Sequence, residues 1–512
     1  MSQPPIDPTV SPGRRSAERL RDDALAIWRA GVDAVRGERL IADHLSRVDD
    51  GIAIGDDWVD PSRFRRIRVL GAGKAAAAMG EGIERLLDGL GDRIALDGWL
   101  NVPEGTERPL RRIVQHPARP AGRNEPTEAG VIGTERLLAM ADECGPEDWC
   151  WVVLTGGGSA LLPAPIAGIS LDDKIETTRF LSGAGADILE LNAVRRALSR
   201  IKGGGLLGHG RPGRVDVLIL SDVLGDPLDA IASGPTVPSS TGVREALEIL
   251  ERFDPGANRI PPAVWRVLRE RAAAEQSGSP NDARRGHANE RSGWSDVRHH
   301  VLGNLAVAID AAGVEAERRG YRHVMLGARR PEGDVRDVAR QWLDRIAAMR
   351  REGISDCLID GGEPTVTLAE RSIRGLGGRN QQLIGEAWSR CRGSVTTASR
   401  EATDESLPIG SPDATKNVSL EGLLLLSGGT DGEDGPTDAA GGWLDAQVDR
   451  AARDQRLDLT DALRRNDTYS LLERCGGLLV TGPTGTNVGD LRVTLLADPA
   501  RPYRVAERGE SG

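Results

Sequence analysis

Residues Ile67 to Glu84 read IRVLGAGKAAAAMGEGIE. An apolar, partly β-branched run enters a Gly-Ala-Gly turn and leaves through an alanine-rich segment, the pattern of a buried strand feeding a helix. Gly71-x-Gly73-x-x-Ala76 satisfies the relaxed dinucleotide-binding fingerprint. Yet Lys74 stands where the phosphates of a bound nucleotide would come closest. The turn therefore poses a choice between a nicotinamide cofactor site and a site where a lysine meets a transferring phosphoryl group. The cofactor reading needs an acidic residue at the end of the following strand, about 20 residues on. That strand is DGWLNV, Asp97 to Val102; it ends in Asn101 and Val102, and Asp97 comes too early. A Walker A loop, G-x-x-x-x-G-K-[ST], is missing as well. The bland alternative is a solvated Lys74 in the first turn of the helix.

Outward from this unit the pattern repeats. CWVVLTGGGSALL (150–162) and VDVLILSDVLGD (215–226) are apolar runs that end in glycine or aspartate turns. Amphipathic stretches separate them, among them Ser170 to Leu181 with an S-x-x-D capping signal at Ser170 and Asp173. Continuous apolar strands alternating with helices predict an α/β domain with a parallel sheet covered on both faces. Its expected span is residues 15–275, after a Pro- and Ser-rich lead-in, 1–14, predicted to be disordered. A polar, Gly/Ser-rich segment, 276–298, reads as a linker or insertion. A second α/β domain is expected over 299–498, with a mixed sheet, because GLLVTGPTGTNVGDLRVTLL (477–496) looks hairpin-like; residues 499–512 form a flexible tail. Another polar insertion is expected near 393–416.

The 512 residues carry a formal charge of −11, so the basic footprint of a nucleic-acid binder is not expected. No apolar run approaches the ~18 residues that span a bilayer, and the N-terminal segment has no apolar core of a signal peptide. Five cysteines without a C-x-x-C pair give no zinc or disulfide framework. A cytoplasmic protein, monomer or homodimer, with small-molecule partners and neither nucleic acid nor membrane is the expectation. Lysine is scarce: Lys74, Lys174, Lys202 and Lys416 are the only ones. A position that keeps lysine in so arginine-rich a chain suggests a need for a compact, mobile ammonium.

Ligands of open α/β sheets bind beyond the carboxyl ends of the strands. Thr155 to Ala160, TGGGSA, is a second cradle there, with Gly156, Gly157, Gly158 and Ser159 placed to meet an anion through backbone N–H groups. It is not a G-x-S-x-G nucleophile elbow; a tight strand–helix crossover is its plain alternative. NAVRRALSRIKGGG sets Asn192 and Arg195 on one helix face, with Lys202 before three glycines. Helix capping by Gly203 and Lys202, or anion contact, both fit that segment. Asp222 follows a strand, and Asp431, Asp434 and Asp438 sit in the loop GGTDGEDGPTDAAGG, read either as a solvated acidic loop or as magnesium contacts. Glu363 in GGEPTVT and Arg379-Asn380 in GGRNQ add an acid, a guanidinium and an amide at turns. Arg379 is electrostatically odd at a helix start, where the dipole favours anions; an anionic ligand between the two would explain it. Phosphoryl transfer needs such an inventory: N–H cradles, cations on the transferring group and carboxylates for metal.

GAGKAA, TGGGSALLPAP, ELNAVRRALSRIKGGGL, LSDVLGDPLDAIASGPT, GGEPTVT, GGRNQ, SGGTDGEDGPTDAAG and TGPTGTNV follow one another in this order. The series resembles the glycerate kinase family whose C-terminal part is the MOFRL domain, from about Leu25 to Leu496. Some members have been named hydroxypyruvate reductases. The resemblance implies an N-terminal Rossmann-like domain, a C-terminal MOFRL-type domain and an active site in the cleft between them. It implies ATP- and Mg2+-dependent phosphorylation of D-glycerate at the 2-hydroxyl. The family's active-site lysine falls on Lys74 and its arginine on Arg379. Asp222 is assigned to catalysis as base or metal contact. Gly157, Gly158, Ser159, Asn192, Arg195, Lys202, Glu363, Asn380, Thr486 and Asn487 are assigned to substrate or phosphate binding, and Asp431, Asp434 and Asp438 to the metal. The His-Pro segment QHPARPAGRNEP is a loose version of the family's. Three alternatives are carried forward: an NAD(P)-dependent hydroxypyruvate reductase, a kinase forming 3-phosphoglycerate, and a non-catalytic binder of small organic acids.

Overall fold

The computed structural model describes residues 15–88, 94–120, 125–277, 293–294, 296–398 and 418–497. The lead-in 1–14, most of the 276–298 segment, most of the 393–416 insertion and the 499–512 tail lie outside the described residues. Among these there are fifteen strands: β1 (Leu45–Val48), β2 (Gly51–Ile54), β3 (Asp57–Val59), β4 (Arg66–Ala72), β5 (Ala95–Pro103), β6 (Ile113–Arg119), β7 (Asp148–Thr155), β8 (Arg214–Leu220), β9 (Val297–Gly303), β10 (His323–Gly327), β11 (Cys357–Gly362), β12 (Leu423–Gly429), β13 (Gly441–Leu444), β14 (Leu478–Leu479) and β15 (Asp490–Leu496).

The chain divides into two units. One comprises 35–304 with 485–488, built on a six-stranded sheet of order β6-β5-β4-β7-β8-β9. Every neighbouring pair in it is parallel. All of β7 and β8 is buried, as is β4 beyond its first residue, so both faces of these strands are covered, as the uninterrupted apolar runs predict. Counted within the sheet, the order is 3-2-1-4-5-6, that of doubly wound folds, whose ligand crevice lies where the order reverses. The reversal falls between β4 and β7. Their carboxyl ends lead into the two glycine turns of the sequence, Gly71–Lys74 and Gly156–Ser159.

Close packing of those two strands explains the glycines. A Cβ on Gly71 would run into the Val153 carbonyl, and one on Gly73 into the main chain and hydroxyl of Thr155. Gly73 also holds φ at +144°, a backbone that side-chain-bearing residues rarely adopt. Gly73→Ala is therefore expected to cost about 3 kcal/mol or more. A lowered urea midpoint with an unchanged slope is the check; a midpoint within experimental error of the parent contradicts it.

The other unit comprises the described residues within 15–34, 305–484 and 489–497. Its six-stranded sheet runs β10-β11-β15-β12-β13-β14. Only β10 and β11 are parallel; the remaining pairs are antiparallel, so the sheet is mixed as expected. Helices Val335–Glu352 and Arg379–Ala398 pack on it around Trp342, Leu358, Trp388, Leu423 and Leu425.

Three boundaries differ from the sequence reading. Residues 15–34, expected with the first domain, pack in the second unit: Asp23 in the helix Ala17–Ala34 is fully buried and accepts from Arg19, Arg319 and Tyr321. Arg21 of the same helix forks onto Asp445 at 2.6 and 2.8 Å. Strand β9, expected to open the second domain, closes the edge of the first sheet beside β8. The 477–496 segment is not a hairpin either. β14 pairs with β13, whereas β15 inserts between β11 and β12, and the intervening residues 485–488 belong to the first unit. Local alternation cannot register either of those long-range pairings.

Candidate active site

In the first unit the site grows from the two strand ends. Lys74 N–H donates to the Gly156 carbonyl at 2.9 Å, and Ala75 N–H to the Thr155 hydroxyl at 3.1 Å, so the turns lock each other. Gly157 takes φ +77°. A Cβ there would lie 3.3 Å from Lys74 Cγ and 3.5 Å from Arg119 Nη2, which puts the lysine and a buried arginine at the same glycine. Arg119, at the end of β6, was not among the residues singled out by sequence. Its signal was the His-Pro-Ala-Arg segment itself, whose arginine ends a strand that lacks a continuous apolar run.

Asp222 follows β8 and accepts a hydrogen bond from Asn487 Nδ2 at 3.1 Å. Both side chains crowd Gly156, where any Cβ would collide with them. Four expected site residues, Gly156, Gly157, Asp222 and Asn487, are thus together. Thr486 is buried, and its hydroxyl donates to the Val35 carbonyl, which anchors the loop 485–488.

The third cradle residue, Ser159, meets Lys202. Lys202 Nζ donates to the Ser159 carbonyl at 2.8 Å and the Ser159 hydroxyl at 2.5 Å, with Ser233 Oγ at 3.3 Å. The two hydroxyls are 2.9 Å apart. Ser233 is brought there by an unusual backbone: Ala232, Ser233 and Gly234 all have positive φ. Burial, with Lys174 and Arg195 nearby, pushes the Lys202 ammonium well below its usual pKa. Arg195 lies within 3.5 Å of the Asn192 side-chain oxygen. The Lys202 ammonium reaches Ser159 and Ser233 rather than carbonyls of the helix Ile188–Ala197 that it was expected to cap.

For the cofactor reading, the end of β5 matters. Asn101 is fully buried and donates to the Leu161 carbonyl and the Thr134 hydroxyl. Asp97 is held by Arg68 in a two-pronged pair at 2.9 and 2.6 Å. Neither offers a carboxylate for a ribose.

The second unit carries the other group of expected residues. Arg379 opens the helix Arg379–Ala398. Its Nε and Nη2 fork onto Asp490 at 2.7 and 3.0 Å, and Nη2 also reaches Glu363 at 2.8 Å. The anion that its odd position called for is thus supplied by the protein, through a nearly inaccessible Asp490 (1% exposed) that sequence reasoning missed. Those two carboxylates raise the guanidinium pKa despite burial. Asn380 donates to Asp490 at 2.9 Å and accepts from Ser427 at 2.6 Å. Arg379 Nη1 takes no part in these bonds.

Of the carboxylates expected at the metal, Asp434 is a helix cap. Its two oxygens accept the N–H groups of Asn380 and Gln381 at 3.0 and 2.8 Å, satisfying donors that the helix start leaves open. Asp438 accepts from Tyr469 at 2.7 Å, and Asp431 from the Glu433 N–H at 3.0 Å. Among the described residues, no group of three or more His, Cys, Asp or Glu gathers around a common point.

Burial lifts the Asp434 carboxyl to about 7, against the opposing pull of the two N–H donors and with Asp490 adding to the rise. A carboxyl raised above its ordinary value binds its proton more tightly when folded. Its contribution is complete below about pH 4 and is lost as pH climbs to about 7. The urea midpoint should fall between pH 5 and pH 8, and Asp434→Asn should flatten that fall. Equal slopes in parent and variant would contradict the assignment.

Two family models match the chain: the DUF4147 domain of unknown function over residues 23–269, and the MOFRL family over residues 356–490. A protein from Danio rerio named glycerate kinase is 33% identical, aligned over 95% of this chain and 99% of its own. One from Pyrococcus horikoshii named glycerate 2-kinase is 31% identical, over 92% and 98%. A relative from Agrobacterium vitis, 34% identical over 84% and 99%, bears the name putative hydroxypyruvate reductase. The crystal structure of a Thermotoga maritima glycerate kinase superimposes with a TM-score of 0.69 at 29% identity, covering 94% of this chain and all of that one.

Proposed function

The chain belongs to the glycerate kinase family, and from that membership we propose that it transfers the γ-phosphoryl group of ATP to the 2-hydroxyl of D-glycerate, giving 2-phosphoglycerate. The observation that carries the reading is Lys74, set between two glycine turns where the order of the parallel sheet reverses. A lysine there serves the charge of a transferring phosphoryl group, and phosphoryl transfer is catalysed largely by positioning and charge neutralisation.

Lys74 is assigned to the phosphoryl group. Gly157, Gly158 and Ser159 are assigned to oxygens that approach the turn, where a side chain on Gly157 would intrude. Asp222, held by Asn487, is assigned to accept the proton of the attacking hydroxyl, a role worth ~10²–10⁴-fold. Arg379, fixed by Asp490 and Glu363, keeps Nη1 for a substrate anion. Mg2+ on a nucleotide needs only one or two protein carboxylates beside phosphate oxygens. Asp434 does not fit that need, since both its oxygens are taken by helix N–H groups; the assignment to the metal is kept for Asp431 and Asp438. When bound, the ion offsets charge on the phosphates.

The hydroxypyruvate reductase reading has the name of one relative in its favour and the blocked end of β5 against it. A coupled ADP assay separates the two. ADP release that needs both D-glycerate and Mg2+ supports the kinase. NADH oxidation by hydroxypyruvate without ADP release overturns it.

A further inference from the structure

Lys174 lies in the helix Leu171–Gly183, and only 8% of its surface is exposed. Its Nζ has no hydrogen-bond partner, an expensive arrangement for a buried ammonium. The charges nearest it are also cations: Arg195 from the neighbouring helix Ile188–Ala197, and Lys202 from the segment that follows. No carboxylate enters from its own helix, where Asp172 and Glu176 are exposed and Asp173 closes the capping box on Ser170. Three buried or half-buried cations without an internal anion are poorly explained by folding stability. They are well explained by an anion that arrives from outside.

The cluster is joined to the glycine turn. Lys202 is hydrogen-bonded to Ser159 and Ser233, and the positive φ angles at Ala232, Ser233 and Gly234 hold that second hydroxyl in place. Two hydroxyls beside three cations match a small ligand with one negative group and neighbouring alcohols. A nucleotide triphosphate, with several charges and a bound ion, would need a wider and wetter opening than side chains this deeply covered provide.

We infer that Lys174, with Arg195 and Lys202, forms the carboxylate-recognition pocket of the chain, specific for small 2-hydroxy monocarboxylates. The identification of that carboxylate as glycerate rests on the kinase reading; the existence of the pocket does not. Burial and Arg195 hold the free Lys174 ammonium at about 8. A carboxylate placed beside it favours the charged form, so binding near pH 8 takes up a proton.

The test uses the full chain and its Lys174→Met variant. Methionine keeps the length and removes the unpaired charge, so the variant should fold and melt at a higher temperature than the parent at pH 7. Calorimetric titration with D-glycerate, in two buffers of different ionisation enthalpy at pH 8, should show proton uptake by the parent. The variant should bind about 10–100-fold more weakly and without that uptake, the loss expected of one charge-assisted hydrogen bond. KM for glycerate should rise by the same factor with KM for ATP unchanged. A rise in KM for ATP instead, or weakened binding of inorganic phosphate but not of glycerate, would assign the cluster to phosphate and overturn the inference. So would a variant that is more stable but unchanged in every titration. If the parent shows no phosphoryl transfer at all, glycolate and D-lactate titrations still decide the pocket. Binding lost in Lys174→Met upholds it, and absence of binding to the parent refutes it.

Discussion

Lys74→Ala should lower turnover by about 10³–10⁵-fold, the range over which a single cation on a transferring phosphoryl group acts in comparable enzymes. Its urea midpoint and circular dichroism should stay close to those of the parent. Alanine keeps the backbone bond by which Lys74 N–H locks the turn to Gly156. The side chain, half-buried, lies alongside Gly157, with its Cγ 3.3 Å from where a Cβ on that glycine would stand. Single-turnover measurement at saturating D-glycerate and ATP distinguishes chemistry from binding. A variant within tenfold of the parent would remove Lys74 from the reaction and leave it as a solvated residue of the helix start.

The second large effect concerns Arg379, where stability and activity are entangled. Removing its side chain leaves Asp490, which is almost inaccessible, with Asn380 and the more distant charge of Arg492 but no ion pair of its own. Breaking a buried ion pair from one side costs about 3–5 kcal/mol, so Arg379→Ala alone would report on folding. Arg379→Lys keeps the charge but loses the two-pronged fork. We expect kcat/KM to fall by about 100-fold or more, with a smaller loss in urea midpoint than in the alanine variant. The double replacement Arg379→Met with Asp490→Asn removes both charges and should recover most of the stability. Activity should not return with it. Recovery of activity in the double variant would show that Arg379 serves only the ion pair with Asp490.

The glycine turns were legible because their signal is local. A strand, a tight turn and a helix start within eighteen residues, Ile67 to Glu84, and the packing of Gly71 and Gly73 against β7 gives each glycine its reason. Arg379 shows the opposite case. Its position at a helix start suggested an anionic ligand, but the anion beside it is a protein carboxylate 111 residues away in sequence, on a strand that becomes adjacent only when β15 inserts between β11 and β12. The same distance effect moved the N-terminal helix into the second unit, since the partners of Asp23 lie about three hundred positions further on. Asp434 carried the composition of a metal-binding loop while its geometry is that of a cap. Lys174 drew no reading of its own beyond its place among four lysines. That scarcity was the available hint, and its burial without a hydrogen-bond partner is visible only in the folded chain.

The most direct test of the account is phosphorus NMR of the products after incubation of the purified chain with D-glycerate, ATP and Mg2+. A new phosphomonoester resonance, absent without Mg2+ and split into a doublet by the single proton on C2, is expected. A triplet from the two C3 protons would place the phosphate on the wrong carbon, and no new resonance beside unconsumed ATP would contradict the kinase itself.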